Sequence, residues 1–250
     1  MDNTSNATSP SPVVSSAFTR MSNVFASPSE LYSEVAAAPV QTTSWLLPLL
    51  VLMVICVIAS FAVYSNPELR QQIFDLQQKG MQKSVTEGKM TQEQFDRASE
   101  QMENSGPVMF IIIGSLIQIV PLTAVFFLGA LGAWLIVKLG LKSPASYSKL
   151  MEIYGLSLWI GVLGAIVTII MMSLMNSMFA TPSGSLLLGD SFDQLNKGHK
   201  LLGYLNVFTL WETGVSGIGI AKISGKSTGT GMIVAFGVWA LFILVATFLF

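Results

Sequence analysis

Apolar residues gather into five long runs, separated by short polar turns and one extended polar stretch. A helix needs roughly 20 apolar residues to cross a hydrocarbon core of about 30 Å. The runs at 44–64, 107–137, 152–175, 201–223 and 231–250 meet that requirement. The second is longer than a crossing needs, and Pro121 inside it predicts a kink and a tilt. The pattern predicts an all-α fold: a polytopic transmembrane bundle of five spans preceded by short interfacial helices, with the chain ending at the last span.

Ahead of the first run, residues 1–16 are rich in Ser, Thr, Asn and Pro and carry too little bulky apolar content to offset the entropy of ordering, which predicts a disordered tail. They lack the charged start and short apolar core of a cleaved signal, so the tail is expected to be retained. Within 17–43, Phe18, Met21, Val24 and Phe25 recur at helical spacing. Ser27, Pro28 and Glu30 then form a capping-box pattern that starts a second short helix ending before Pro39. Leu31, Tyr32 and Val35 on one side, with Glu30 and Glu34 on another, predict an amphipathic helix lying on the membrane surface. The competing reading is a cytosolic helix packed on neighbouring loops, since the polar face is acidic rather than basic.

Residues 65–106 form the one sizeable polar segment. Helical periodicity over 67–81, and a capping box of Thr91 with Gln94, predict two helices, the second over 92–103. They make either a helical hairpin against the bilayer or its partner helices, or a solvated linker.

Composition sharpens this picture. Apolar residues make up 52% and charged residues 11% of the 250, whereas soluble domains carry roughly a quarter charged residues; a soluble enzyme is therefore excluded. The formal net charge of −1 leaves no basic patch for nucleic acid. With Cys56 and His199 each the sole residue of its type, neither a disulfide nor a Cys/His zinc centre can form within the chain. No cofactor is implied. The 107–137 run is followed by Lys138, Lys142 and Lys149, and the 201–223 run by Lys222 and Lys226. Both turns lack carboxylates and lie on the side of the N-terminus, which predicts that side to be cytoplasmic and the C-terminus outside.

The candidate chemistry is sparse. An ionisable residue inside a span is costly and raises a functional hypothesis. Glu212 is the clearest, with Gln118 and Glu152 behind it. Glu212 fits a proton or cation path, or a structural hydrogen bond between helices; the latter is favoured because Thr209, Thr213 and Ser216 are its only polar neighbours. Gly225, Lys226 and Ser227 resemble the end of a phosphate loop, but Ile220 stands where that motif needs glycine, and the segment leaves a span rather than a strand. Asp190, Asp193 and His199 lack a ligand spacing, so no metal site is expected; Asp190 reads as a helix start. Gly129 with Ala133, Gly161 with Ala165 and Gly217 with Ala221 predict close helix packing and allow self-association. The Met171, Met172, Met175 and Met178 group reads as lipid-facing or gap-filling.

Two stretches together suggest a family. The segment from Asn23 through Val35, ahead of a Pro-containing span, resembles the opening of bacterial members of the Yip family of Ypt/Rab-interacting integral membrane proteins. The run from Asn206 through Trp211 and Glu212 to Gly217, leading to Lys226 and Ser227, resembles that family's penultimate helix and its Gly-rich basic turn. Ile153, Tyr154 and Gly155 are similar to its tyrosine-glycine motif. The resemblance implies a five-span membrane domain with a cytoplasmic N-terminus. In eukaryotic members it also implies Rab GTPase binding. The chain lacks the aspartate-leucine-tyrosine-glycine-proline segment of those members and has Leu156 where a second tyrosine often follows, which counts against GTPase binding and favours a bacterial inner membrane.

The resulting expectation is a non-enzymatic scaffold that organises the lipid bilayer or membrane-protein partners. The alternative is a small transporter or channel using Glu212, Gln118 and Pro121. Intramembrane candidates are Glu212, Gln118, Glu152 and Tyr154.

Overall fold

The computed structural model describes residues 15–248, except the side chains of Glu103 and Asp190. Regular structure there is helical, with one isolated β-bridge between Ser183 and Asn206. The ten α-helices are α1 (Ala17–Ala26), α2 (Pro28–Ala37), α3 (Thr43–Ser65), α4 (Pro67–Thr86), α5 (Gln92–Asn104), α6 (Pro107–Leu135), α7 (Tyr147–Met175), α8 (Lys197–Tyr204), α9 (Val207–Ser224) and α10 (Thr228–Phe248).

Four helices are long and apolar enough to cross a membrane: α3, α6 with its π-helical extension to Gly140, α7 and α10. Their unpartnered faces are apolar, as at Leu50, Val54, Ile58 and Phe61 of α3 and Ile112, Leu116, Ile117 and Val120 of α6. A soluble protein would bury such stripes, so they are the lipid-facing surfaces of a multi-pass membrane protein. The expected span over 201–223 is two helices instead. Asn206 breaks it, with its side chain accepting from the amides of Phe208 and Thr209 to start α9 afresh. At about 1.5 Å per residue α9 is about 27 Å long, shorter and more polar than the other four.

α9 runs antiparallel to α7 along a seam made by glycines. A Cβ on Gly164 would lie 2.6 Å from Phe208 Cβ, one on Gly161 2.7 Å from Glu212 Oε2, and one on Gly219 2.6 Å from Ile153 Cγ2. Gly155 lets α7 meet the backbone of Trp45 in α3, and Gly231 of α10 lies against the Gly217 carbonyl of α9. In lipid, where burial of apolar surface gives little drive, such close backbone approach is what holds helices together. Pro48 and Pro121 lie inside α3 and α6, each of which continues past its proline.

Local signals hold unevenly. Thr91 and Gln94 form the expected reciprocal cap of α5. Ser27 precedes α2, but its side chain makes no cap bond. α4 runs on to Thr86, past the expected end, and is tied to the end of α7: Gln72 Nε2 donates to the Asn176 carbonyl at 2.7 Å, and the Met178 amide donates to Gln72 Oε1 at 2.9 Å. No α-helix starts at Asp190, which lies in a 3₁₀ turn (Gly189–Ser191); α8 starts later, capped by Asn196. The Asp193 amide donates to His199 Nδ1 at 3.0 Å, which uses that ring in a turn. The phosphate-loop-like residues are a helix stop: Gly225, at φ 63°, is the left-handed cap of α9, a conformation that favours glycine.

Of the expected disordered tail, residues 1–14 lie outside the described residues. Ser15 and Ser16 are ordered. The Ser16 side chain caps α1 at the Thr19 amide, and Ser15 donates to Glu34 through both its amide and its hydroxyl.

Candidate functional site

The most connected polar assembly lies where α1 and α2 meet the starts of α3 and α7. The apolar residues that make α2 amphipathic, Leu31, Tyr32 and Val35, pack with Val24 against Ile153, Leu156 and Ile160 of α7 and Val215 of α9. The face the sequence offers to a membrane surface is thus turned onto the bundle. On α1 the buried pair is Arg20 and Val24, one helical turn apart, while Phe18 is 73% exposed.

Arg20 is therefore a guanidinium carried into a packed layer, and it requires partners there. Its Nη1 donates to Glu152 Oε1 at 2.9 Å and to Ser44 Oγ at 3.0 Å; its Nη2 and Nε donate to Glu34 Oε1 at 2.9 and 3.2 Å. Glu152 is fully buried. Besides Arg20, its Oε1 accepts from the Gln41 amide at 3.2 Å and Ser44 Oγ at 3.3 Å, and its Oε2 accepts from Lys149 Nζ at 2.8 Å. Lys149 Nζ also donates to the Ala38 carbonyl at 2.8 Å. Two cations thus balance two carboxylates, and every contact is a charge-assisted hydrogen bond. The planar fork of arginine is what allows one side chain to serve two carboxylates.

The local chemistry follows from this enclosure. Burial of Glu34 acts to raise its pKa, but the Ser15 hydrogen bonds and the Arg20 charge outweigh it and hold the carboxyl below the usual range. Beside the network, Tyr32 Oη lies 2.7 Å from Ser157 Oγ and donates to the Ile153 carbonyl at 3.2 Å; burial pushes its phenol well above the ordinary value.

The other three expected candidates lie elsewhere. Glu212 and Tyr154 line one cavity of about 290 Å³ between α3, α6, α7, α9 and α10. Gln118 lines a different one, of about 520 Å³, where its Nε2 donates to Ser60 Oγ of α3 at 2.9 Å. A solute path through both Glu212 and Gln118 would have to join two separate spaces. Tyr154 and Gly155 divide their work: the ring contacts Gly129 of α6, and the glycine admits Trp45.

Arg20, Glu34 and Lys149 are the site residues the sequence reading misses. The available signal is a lone arginine at the flank of a short apolar stripe, one turn from Val24. Its partner Glu152 is 132 residues away, so no local pattern reveals the pair.

Comparison with known families places this geometry. The Yip1 domain is matched over residues 22–249, from α1 to the end of α10. The chain belongs to the Yip1 domain family. Comparison with curated proteins and with solved structures gives no match. The Yip1 domain takes in α2, the ionic network except Arg20, and every apolar helix, and with them the description of the chain as a multi-pass integral membrane protein.

Proposed function

We propose that this Yip1-domain protein is a non-enzymatic membrane scaffold in which α1 and α2 are a fixed layer presented by the membrane bundle to a partner. The observation that carries the reading is the two-carboxylate grip of Arg20, which ties α1, α2, α3 and α7 into one unit. A tether that served only to insert the first span would not need a fully buried, compensated ion network, which is costly to assemble and gives geometry rather than net stability. In this reading α9 is the fifth crossing: it is antiparallel to α7 and is followed at once by α10, so the ends of the chain lie on opposite sides. The lysine-bearing turns after α6 and α9 support a cytoplasmic N-terminal layer, and a bacterial inner membrane is the setting the family resemblance implies.

The test is photocrosslinking in native membranes from exposed positions of α2, Glu30 and Ser33, comparing the natural chain with Arg20→Ala. The scaffold reading expects a defined set of crosslinked membrane partners that is lost when Arg20 is removed while the chain remains inserted. The same partners captured by Arg20→Ala would overturn it.

A further inference from the structure

The cavity beside Glu212 has a composition that the scaffold reading does not use. Gly161, which faces the Glu212 carboxylate, is at the midpoint of α7, so the carboxylate lies at mid-bundle depth. Among the described residues it receives no hydrogen bond and no ion pair, and no basic side chain lines the cavity. An ionised carboxylate at such depth is expensive without a cation beside it. The walls are aromatic and aliphatic: Tyr154, Phe126, Trp239 and Phe242 contribute rings from three helices. Thr213 spends its hydroxyl hydrogen on the Thr209 carbonyl at 2.7 Å, leaving oxygen lone pairs toward the space. One acidic group in a box of aromatic faces is the chemistry that recognises an organic ammonium ion, by charge and by cation–π attraction. Its volume of about 290 Å³ is at the small end of ligand cavities.

We propose that this cavity binds a small organic ammonium ion, with Glu212 as counter-ion and Trp239 and Tyr154 as the faces that cover it. The inference is independent of the scaffold reading, since it uses none of the residues of the α1–α2 layer. A lipid amine headgroup and a free amphiphilic amine share this chemistry; the depth of Glu212 favours the free amine.

The test uses the full chain in maltoside micelles, which carry no ammonium, and calorimetric titration with benzyltrimethylammonium, whose charge is independent of pH. Its uncharged carbon isostere, neopentylbenzene, is titrated in parallel, with partition into empty micelles subtracted. The natural chain is expected to bind the cation at least tenfold more tightly than the isostere. Glu212→Gln, which keeps the shape, is expected to abolish that preference, and Trp239→Leu to weaken cation binding several-fold. Adding phosphatidylethanolamine should leave the affinity unchanged if a free amine is the occupant, and reduce it if the lipid headgroup competes. Absence of cation binding by the natural chain, equal binding of cation and isostere, or full binding by Glu212→Gln would overturn the proposal. Should Glu212→Gln fail to fold, unchanged binding by Trp239→Leu would overturn it alone.

Discussion

Arg20 and Glu152 stand 132 residues apart in the chain and 2.9 Å apart in space, both almost wholly removed from solvent. Glu152 is held a second time by Lys149, and Arg20 a second time by Glu34. Each charge therefore answers to more than one partner, and the short N-terminal helices, too brief to be stable alone, take their position from the bundle.

The low pKa of Glu34 makes this docking sensitive to acid. A carboxyl whose folded pKa lies below its unfolded value contributes stability that is present above the unfolded pKa and lost as pH falls through the folded one. Protection of the α1 and α2 amides, taken from the exchange rate relative to the intrinsic rate at each pH, should thus be high at neutral pH and fall as pH drops below the usual carboxylate range. Glu34→Gln should exchange faster at neutral pH and show less dependence on acid in that window. An unchanged acid response in Glu34→Gln would remove Glu34 from the linkage.

The glycine seams predict a second class of defects. A side chain at position 155 runs into the Trp45 backbone, and one at 231 into the Gly217 carbonyl. Backbone cannot yield as a flexible side chain can, so Gly155→Val and Gly231→Val should each cost more than the about 1–3 kcal/mol typical of overpacking, with folded yield in detergent falling sharply. Gly237, which has open space beside it, should accept alanine with little change in melting temperature.

The proposed fifth crossing is α9, and a topology reporter fused after the last helix tests it directly. Five crossings place the two ends of the chain on opposite sides. A reporter at the C-terminus on the same side as one at the N-terminus would exclude α9 as a crossing.

How much of this could be read from sequence divides along the range of the interactions. The four long apolar helices and the α5 cap follow from periodicity and neighbouring residues, because lipid exposure and capping are set locally. The split of the fourth run at Asn206 is a case of local competition: its side chain accepts two amides and ends one helix to start another, while the hydropathy of 201–223 averages over the break. Glu152 and Tyr154 are visible as polar residues at the edge of a span. Their partners are not, since Arg20 and Ser44 reach Glu152, and Gly129 meets the Tyr154 ring, only once α1, α3 and α6 have packed on α7. The face of α2 shows the same limit: amphipathicity states that Leu31, Tyr32 and Val35 need cover, but whether lipid or protein supplies it depends on α7 and α9.

The most direct test of the locked N-terminal layer is a double-mutant cycle on Arg20 and Glu152, read by thermal melting in detergent together with protease sensitivity of α1 and α2. Breaking a buried pair from one side leaves an uncompensated charge and typically costs about 3–5 kcal/mol, whereas replacing the pair by apolar groups of similar volume is far less harmful. Arg20→Met and Glu152→Leu should each destabilise the fold by that order and expose α1 to protease, and the double variant should recover much of the loss. Strictly additive losses, or single variants that melt as the natural chain does, would contradict the account.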